Sequence, residues 1–253
     1  MAGAIYPDLK GKSVLVTGGG SGIGAAIVRA FARQGSKVGF IDIADGPSRA
    51  LVEELRGSGA TVHFEHADLR DIEALRRAIE SIRAAHGPVT VLVNNAAHDE
   101  RHATETVTPD YFDDRVAVNL KHQFFASQAV LPDMKAAGGG SIICFGSISW
   151  MASMGGMAVY TACKSAVLGL VRSLARDYGP YNIRVNSIAP GWIMTERQLS
   201  LWLTPEADEM RRKAQSIERK LVPDDVARVA IFLSSDEASA VTNQSYVVDG
   251  GWV

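Results

Sequence analysis

Short apolar runs alternate along this chain with segments whose apolar positions recur every three or four residues. Ser13–Thr17 (SVLVT) is a β-branched run that predicts a strand, and the segment AAIVRAFARQ after the following glycines places Ile27, Val28 and Phe31 at helical spacing. Gly35 stands where a helix C-cap glycine belongs, and residues 37–43 (KVGFIDI) are apolar enough for a strand covered on both faces. The same reading gives a helix over 47–55, a strand over 61–66, a helix capped by Asp71 and running to about His86, and a strand over 89–93. Thr108-Pro109-Asp110 opens a long helical pattern that breaks near Pro132. Residues 141–145 then form a strand, Ala158–Tyr178 a helix ending at Gly179-Pro180, and 183–189 a sixth strand ending at Pro190-Gly191. Beyond Thr195 the text is polar and irregular until Pro223-Asp224-Asp225 opens a helix through Leu233, and Ser245–Val248 is the last strand.

Regular strand-helix alternation predicts an α/β fold, a doubly wound parallel sheet with helices on both faces. Ligands of such sheets bind beyond the C-terminal ends of the strands, where every motif below falls. No repeat or linker interrupts the pattern, so residues 1–253 are expected to form a single domain. Composition then removes whole classes of function. With 47% apolar and 21% charged residues the chain is not disordered, and 26 basic against 28 acidic side chains offer no basic excess for nucleic acid. Two cysteines, Cys144 and Cys163, cannot build a disulfide framework or a cysteine-based zinc site. The N-terminal MAGAIYPDLKGK has no apolar signal region, and no stretch approaches the roughly 18 apolar residues of a membrane span, so a cytoplasmic location is expected.

The chemistry starts at Thr17-Gly18-Gly19-Gly20-Ser21-Gly22-Ile23-Gly24, between the first strand and the first helix. Glycines there let the main chain approach a pyrophosphate, which the helix N-terminus stabilises. Asp42 ends the second strand, near the distance at which an acidic residue meets the adenosine ribose. Its charge would repel a 2′-phosphate, and the adjacent Ile43 offers no compensating cation; NAD is therefore expected over NADP. Arg49, on the next helix, is the one nearby cation that argues the other way.

Tyr160 and Lys164 stand four apart in a helical pattern and so share a face. An ammonium beside a phenol favours the phenolate, lowering the tyrosine pKa from about 10 toward the range a general base needs. Taken alone the spacing also fits a surface pair, but Ser147 lies just past the fifth strand, where its hydroxyl can hold a substrate oxygen. TGGGSGIG, Asp68, Asn94-Asn95-Ala96-Ala97, Asn119, Ser147, Tyr160-x-x-x-Lys164 and Pro190-Gly191 with Thr195 together resemble the ordered motif set of the short-chain dehydrogenase/reductase superfamily. The resemblance spans the chain, with Ala97 departing from the usual glycine, and implies a Rossmann fold. It also implies that Gly18, Ser21, Gly22, Ile23, Gly24, Asp42 and Ile43 hold the dinucleotide. Asp68 and Leu69 would lie at the adenine, Asn95 and Ala96 at the adenosine ribose, and Pro190, Gly191, Ile193 and Thr195 at the carboxamide and phosphates. In the implied reaction Tyr160 takes the substrate proton, Lys164 binds the nicotinamide ribose and lowers the Tyr160 pKa, Ser147 orients the substrate oxygen, and Asn119 supports a water path. A homotetramer is implied too, with the helices at about 108–135 and 158–178 at one interface.

His98 and His102 stand four apart, but in a loop without a convincing third ligand, so no metal is expected. The loop segment HDERH, Ser149-Trp150 and Trp192 with Arg197-Gln198 bring hydrogen-bonding groups beside indoles, which suits a polyhydroxylated ring and equally a packed lid. AIYPDLKGK, HDERH, FGSISW, TERQ and DGGWV are similar to bacterial aldose 1-dehydrogenases of the D-xylose type, which oxidise a pyranose anomeric hydroxyl to a lactone. That resemblance implies that His98, Asp99, Arg101, Ser149, Trp150, Trp192 and Arg197 read the other hydroxyls, beside Ser147 and Tyr160. His98 and Met151-Ala152-Ser153-Met154 depart from the xylose pattern and leave the sugar open. The competing functions are a 3-oxoacyl carrier-protein reductase or other secondary-alcohol dehydrogenase, and a non-catalytic NAD-binding regulator.

Overall fold

A computed structural model describes residues 3–253. Seven parallel strands run along it: β1 Ser13–Thr17, β2 Lys37–Asp42, β3 Val62–His66, β4 Val91–Asn94, β5 Gly140–Phe145, β6 Ile183–Pro190 and β7 Ser245–Val248. They lie in the order β3-β2-β1-β4-β5-β6-β7. Every residue of β1 is buried, because the sheet is covered on both faces and each pleat side meets a helix layer. Val14 and Val16 point into one core with Ile27 and Phe31 of helix α1 (Gly22–Arg33). Leu15, between them, points into the other core with Leu75, Ile79 and Ile82.

Helix α2 spans Asp45–Gly57 and α3 spans Ile72–His86, with Asp71 accepting from the Glu73 and Ala74 amides as its cap. The expected boundaries hold to within about two residues except at three places. Strand β2 stops at Asp42, which leaves Ile43 outside the sheet and exposed. The long helical pattern resolves into α4 (Pro109–Val116), a π-helical turn at Ala117–Lys121 and α5 (His122–Ala136), so the break lies at Asn119. Pro132 sits inside α5 without ending it. The polar stretch after Thr195 is not irregular. It forms α7 (Glu196–Leu201) and α8 (Pro205–Ala214), following α6 (Ala158–Tyr178), and Thr195 and Thr204 cap them by accepting from the Gln198 and Ala207 amides. Helix α9 is Pro223–Ser234. No described helix is long and apolar enough to cross a membrane.

Close approach of α3 to β2 depends on Gly39, where an added Cβ would stand 2.3 Å from Ile82 Cγ2. Gly39→Ala is expected to destabilise the fold by about 1–3 kcal/mol through overpacking. A urea midpoint unchanged from wild type would contradict that packing.

Candidate active site

Strand order reverses between β1 and β4, and the loops leaving them diverge to open a crevice at the C-terminal edge of the sheet. Asn95 ties these loops together. Its amide Nδ2 donates to the carbonyls of Thr17 (3.1 Å) and Gly18 (2.9 Å), while Thr17 Oγ1 accepts from the Asn95 (3.1 Å) and Ala96 (3.2 Å) backbone N–H groups. The tie leaves no room for side chains. A Cβ on Gly24 would lie 1.8 Å from the Gly18 carbonyl oxygen, and one on Gly18, at φ 66°, would lie 2.8 Å from Ala96 Cα.

Beside this knot runs a groove of about 890 Å³. Gly18, Ser21, Gly22, Ile23, Gly24, Asp42, Ile43, Asp68, Leu69, Asn95, Ala96 and Thr195 all border it, so one cleft gathers residues spread over most of the chain. Ser21 makes no side-chain cap at the N-terminus of α1, which leaves that end available to an anion. Asp42 is held in place: Oδ2 accepts from Gly20 N (2.8 Å) and Oδ1 from Ala44 N (2.9 Å). Arg70 grips Asp68 and holds its carboxyl below the usual carboxylate range. A glycine cradle, a helix N-terminus and an acidic group beyond it fit a dinucleotide in chemistry and in shape. Arg49 does not border the groove; it lies near Asp45 (3.7 Å) and over the Phe64 ring.

A second cavity of about 360 Å³ shares Ile23, Asn95, Ala97 and Thr195 with the groove. Ser147, Tyr160, Lys164, Pro190, Gly191 and Ile193 border it. Lys164, 1% exposed, donates from Nζ to the Phe145 carbonyl (2.9 Å) and sits 5.7 Å from the Tyr160 ring centroid. Burial pushes the Lys164 ammonium down to about 8 and the Tyr160 phenol up to about 12. A hydrogen bond from Ser147 and the charge of Arg101 pull the phenol back down, while Asp99 raises it. Ser147 and Arg101 are the main lowering influences, and the Lys164 ammonium is held nearby by the Phe145 carbonyl. Cys163 faces the packed interior, and burial raises its thiol.

Asn119 is fully buried on the π-helical turn, where its side chain does something the sequence did not suggest. Oδ1 accepts from His98 N (2.9 Å), and Nδ2 donates to the carbonyls of His98 (3.2 Å) and Arg115 (2.9 Å). The amide therefore staples the loop after β4 to the helix that carries it. Its side chain points to that loop rather than to open solvent.

Asp99, Arg101, Ser149 and Trp192 line the smaller cavity as expected, but three sequence candidates do not. His98 and Arg197 border the dinucleotide groove, and the His98 ring accepts from Arg115, which with burial holds it below the ordinary histidine value. Trp150 borders neither cavity, because the 3-10 turn Ile148–Trp150 swings it to the surface. Residues not named there as substrate contacts also line the cavity, among them Met154, Met157, Trp202, Met210 and Trp252. Gln198 joins two walls: Trp192 Nε1 donates to its Oε1 (2.8 Å), and its Nε2 donates to Asp99 Oδ2 (2.7 Å). Arg197 adds an ion pair to Asp99 at 3.3 Å. Arg101, Ser149 and Trp202 each also hold one polar atom, Nε, Oγ and Nε1, that is closed off behind the wall without a hydrogen-bond partner.

A sequence profile of the family described as Enoyl-(Acyl carrier protein) reductase matches residues 18–253. The chain is 50% identical to the protein named "Probable galactose dehydrogenase GalD" of Rhizobium meliloti (strain 1021), over 97% of this chain and 96% of that one. It is 47% identical to D-xylose 1-dehydrogenase of Caulobacter vibrioides over 100% of both. Among solved structures it is similar to a blue fluorescent protein from a metagenomic library in complex with NADPH (35% identity, TM-score 0.90, 97% of this chain and 99% of that one). A mutant Serratia marcescens short-chain dehydrogenase/reductase gives 34% identity, TM-score 0.90 and the same coverage.

A phenol pushed up to about 12 stays protonated where an ordinary tyrosine is half ionised, at about pH 10. Ultraviolet titration of the enzyme without dinucleotide, taken as wild type minus Tyr160→Phe, is expected to show no phenolate from Tyr160 at that pH. Half ionisation at or below about pH 9 would contradict the burial effect.

Proposed function

Since the chain belongs to the short-chain dehydrogenase/reductase family, we propose that its site oxidises the anomeric hydroxyl of an aldose to the lactone, with NAD as acceptor. It is an oxidoreductase by membership. The aldose reading is carried by the cavity beside Tyr160, where Asp99, Ser147, Tyr160 and Gln198 stand among methionines and indoles. A ring bearing several hydroxyls can hydrogen-bond polar groups of this wall while its C–H faces pack on Trp252 and Met210. Relatives named galactose dehydrogenase and D-xylose 1-dehydrogenase support the same class.

When bound, the nicotinamide cofactor accepts the hydride from the carbon that carries the oxidised hydroxyl. The chain's own residues handle the proton and the geometry. Ser147 orients the substrate oxygen, with its own Oγ fixed by the Ser149 amide at 3.1 Å. Tyr160 accepts the hydroxyl proton as a phenolate, which positive charge at the site must stabilise because burial disfavours it. Lys164 supplies part of that charge, remaining mostly protonated at neutral pH despite its lowered value. Asn119 keeps the loop carrying Asp99 and Arg101 in register with the helix, and through that loop would support a water path for the departing proton.

NAD is preferred because Asp42 is locked at the groove with its charge uncompensated by Arg49. Residues 1–253 act as one domain, since groove and cavity draw on residues from Gly18 to Trp252. The working form is a cytoplasmic homotetramer, supported by the exposed Phe112 (46%) and Phe124 (44%) along α4 and α5. It binds no nucleic acid or membrane.

A panel of D-xylose, L-arabinose, L-fucose and D-galactose with NAD and NADP tests this reading. NADH formation from at least one aldose, with a poorer rate on NADP, is expected, and Tyr160→Phe should lower kcat at least a thousandfold (on the order of 10³ or more) while leaving dinucleotide affinity within about threefold. No NADH from any aldose would end the sugar assignment; equal use of NADP would end the role given to Asp42.

A further inference from the structure

Tyr160 occupies the third position of α6, inside the first turn, where backbone N–H groups have no partner within the helix. Such a start is normally held by a side-chain oxygen of the preceding residue, yet Met157 stands there and makes no side-chain cap. The acceptor comes from elsewhere: the Val159 N–H donates to Nε2 of His102, in the loop after β4 (3.4 Å). His102 grips the same turn a second time, its backbone N–H donating to the Gly156 carbonyl (2.8 Å). A ring nitrogen that accepts from an amide carries no proton, so the hydrogen of the neutral imidazole sits on Nδ1. There it faces the Tyr111 hydroxyl (3.0 Å) and the Glu100 carbonyl (3.2 Å). Tyr111 belongs to α4, and the Arg115 guanidinium lies 5.3 Å from its ring centroid, so the group that holds His102 is itself held. His102 borders neither cavity and acts on the protein, not on a ligand.

We propose that His102 is a positioning residue that caps helix α6 from outside and sets the place of Tyr160 opposite the substrate. The inference rests on Tyr160 as the proton acceptor and on no choice of sugar. Three segments meet at one imidazole: the loop that carries Asp99 and Arg101, helix α4, and the turn that presents Tyr160. Register between the substrate loop and the base is therefore fixed by a single side chain. Ser147 does not replace it, since its hydrogen bond holds the phenol end of Tyr160 and leaves the backbone of the turn free. Without the cap the first turn can fray, and an error of about 1 Å in a reacting group costs about a hundredfold in rate.

The test compares wild type, His102→Gln and His102→Asn. Glutamine places an amide oxygen where Nε2 stands and keeps an acceptor for Val159; asparagine is too short and reaches only the position of Nδ1. Both keep the backbone bond to Gly156. On the aldose that wild type oxidises fastest, His102→Asn is expected to lower kcat about tenfold while the sugar KM and the dinucleotide affinity stay within about threefold. His102→Gln should stay within about threefold of wild type in all of these. Amide hydrogen exchange without substrate should be faster across residues 158–161 in His102→Asn alone. Equal losses in the two variants, a loss confined to KM, or unchanged exchange in His102→Asn would overturn the cap. Near-normal turnover of Tyr160→Phe would overturn the base assignment and this inference with it; an inactive Tyr160→Phe beside a fully active His102→Asn overturns the cap alone.

Discussion

The carboxamide of Asn95 is the constraint on which the site depends. By donating to the carbonyls of Thr17 and Gly18 it brings the loops after β1 and β4 into direct contact at the point where strand order reverses. Gly18 and Gly24 follow from that contact, since a Cβ at either would collide with backbone. The glycine pattern is thus demanded by protein packing as well as by a ligand. Once the loops are tied, the N-terminus of α1 faces the groove on one side and the His98–Arg101 segment is launched over the smaller cavity on the other. Asn119 then grips the backbone of that segment and Gln198 grips Asp99, so each further restraint hangs on the first.

Burial also sets the electrostatics. The phenol of Tyr160 and the ammonium of Lys164 are each driven toward their neutral forms by the same dry surroundings, up to about 12 and down to about 8. The general base proposed here therefore depends on positive charge near it. Ser147 and Arg101 supply part of that bias, and Arg101 belongs to the segment that would read the substrate.

Much of this was legible in the sequence because the physics is local. Strands covered on both faces read as unbroken apolar runs, and Tyr160 with Lys164 share a helix face by spacing alone. The π-turn at Asn119 is not legible, since one extra residue in a turn barely changes the apolar pattern, whereas Pro132 signals a break that the fold does not make. Helices α7 and α8 are too polar to show a strong stripe, although the capping residues Thr195 and Thr204, the latter followed by Pro205, marked their starts. Trp150 was misplaced because neighbours in sequence to Ser147 need not share its cavity. Trp202 and Trp252 were missed because only the folded chain brings them to one wall.

The proposed reaction is hydride removal from the anomeric carbon of an aldose. Oxidation of a C1-deuterated aldose, followed by mass analysis of the reduced cofactor and of the product, examines that step directly. Deuterium on the nicotinamide and none in a lactone product is the predicted result. Deuterium retained in an oxidised sugar would place the reaction at another carbon and contradict the account.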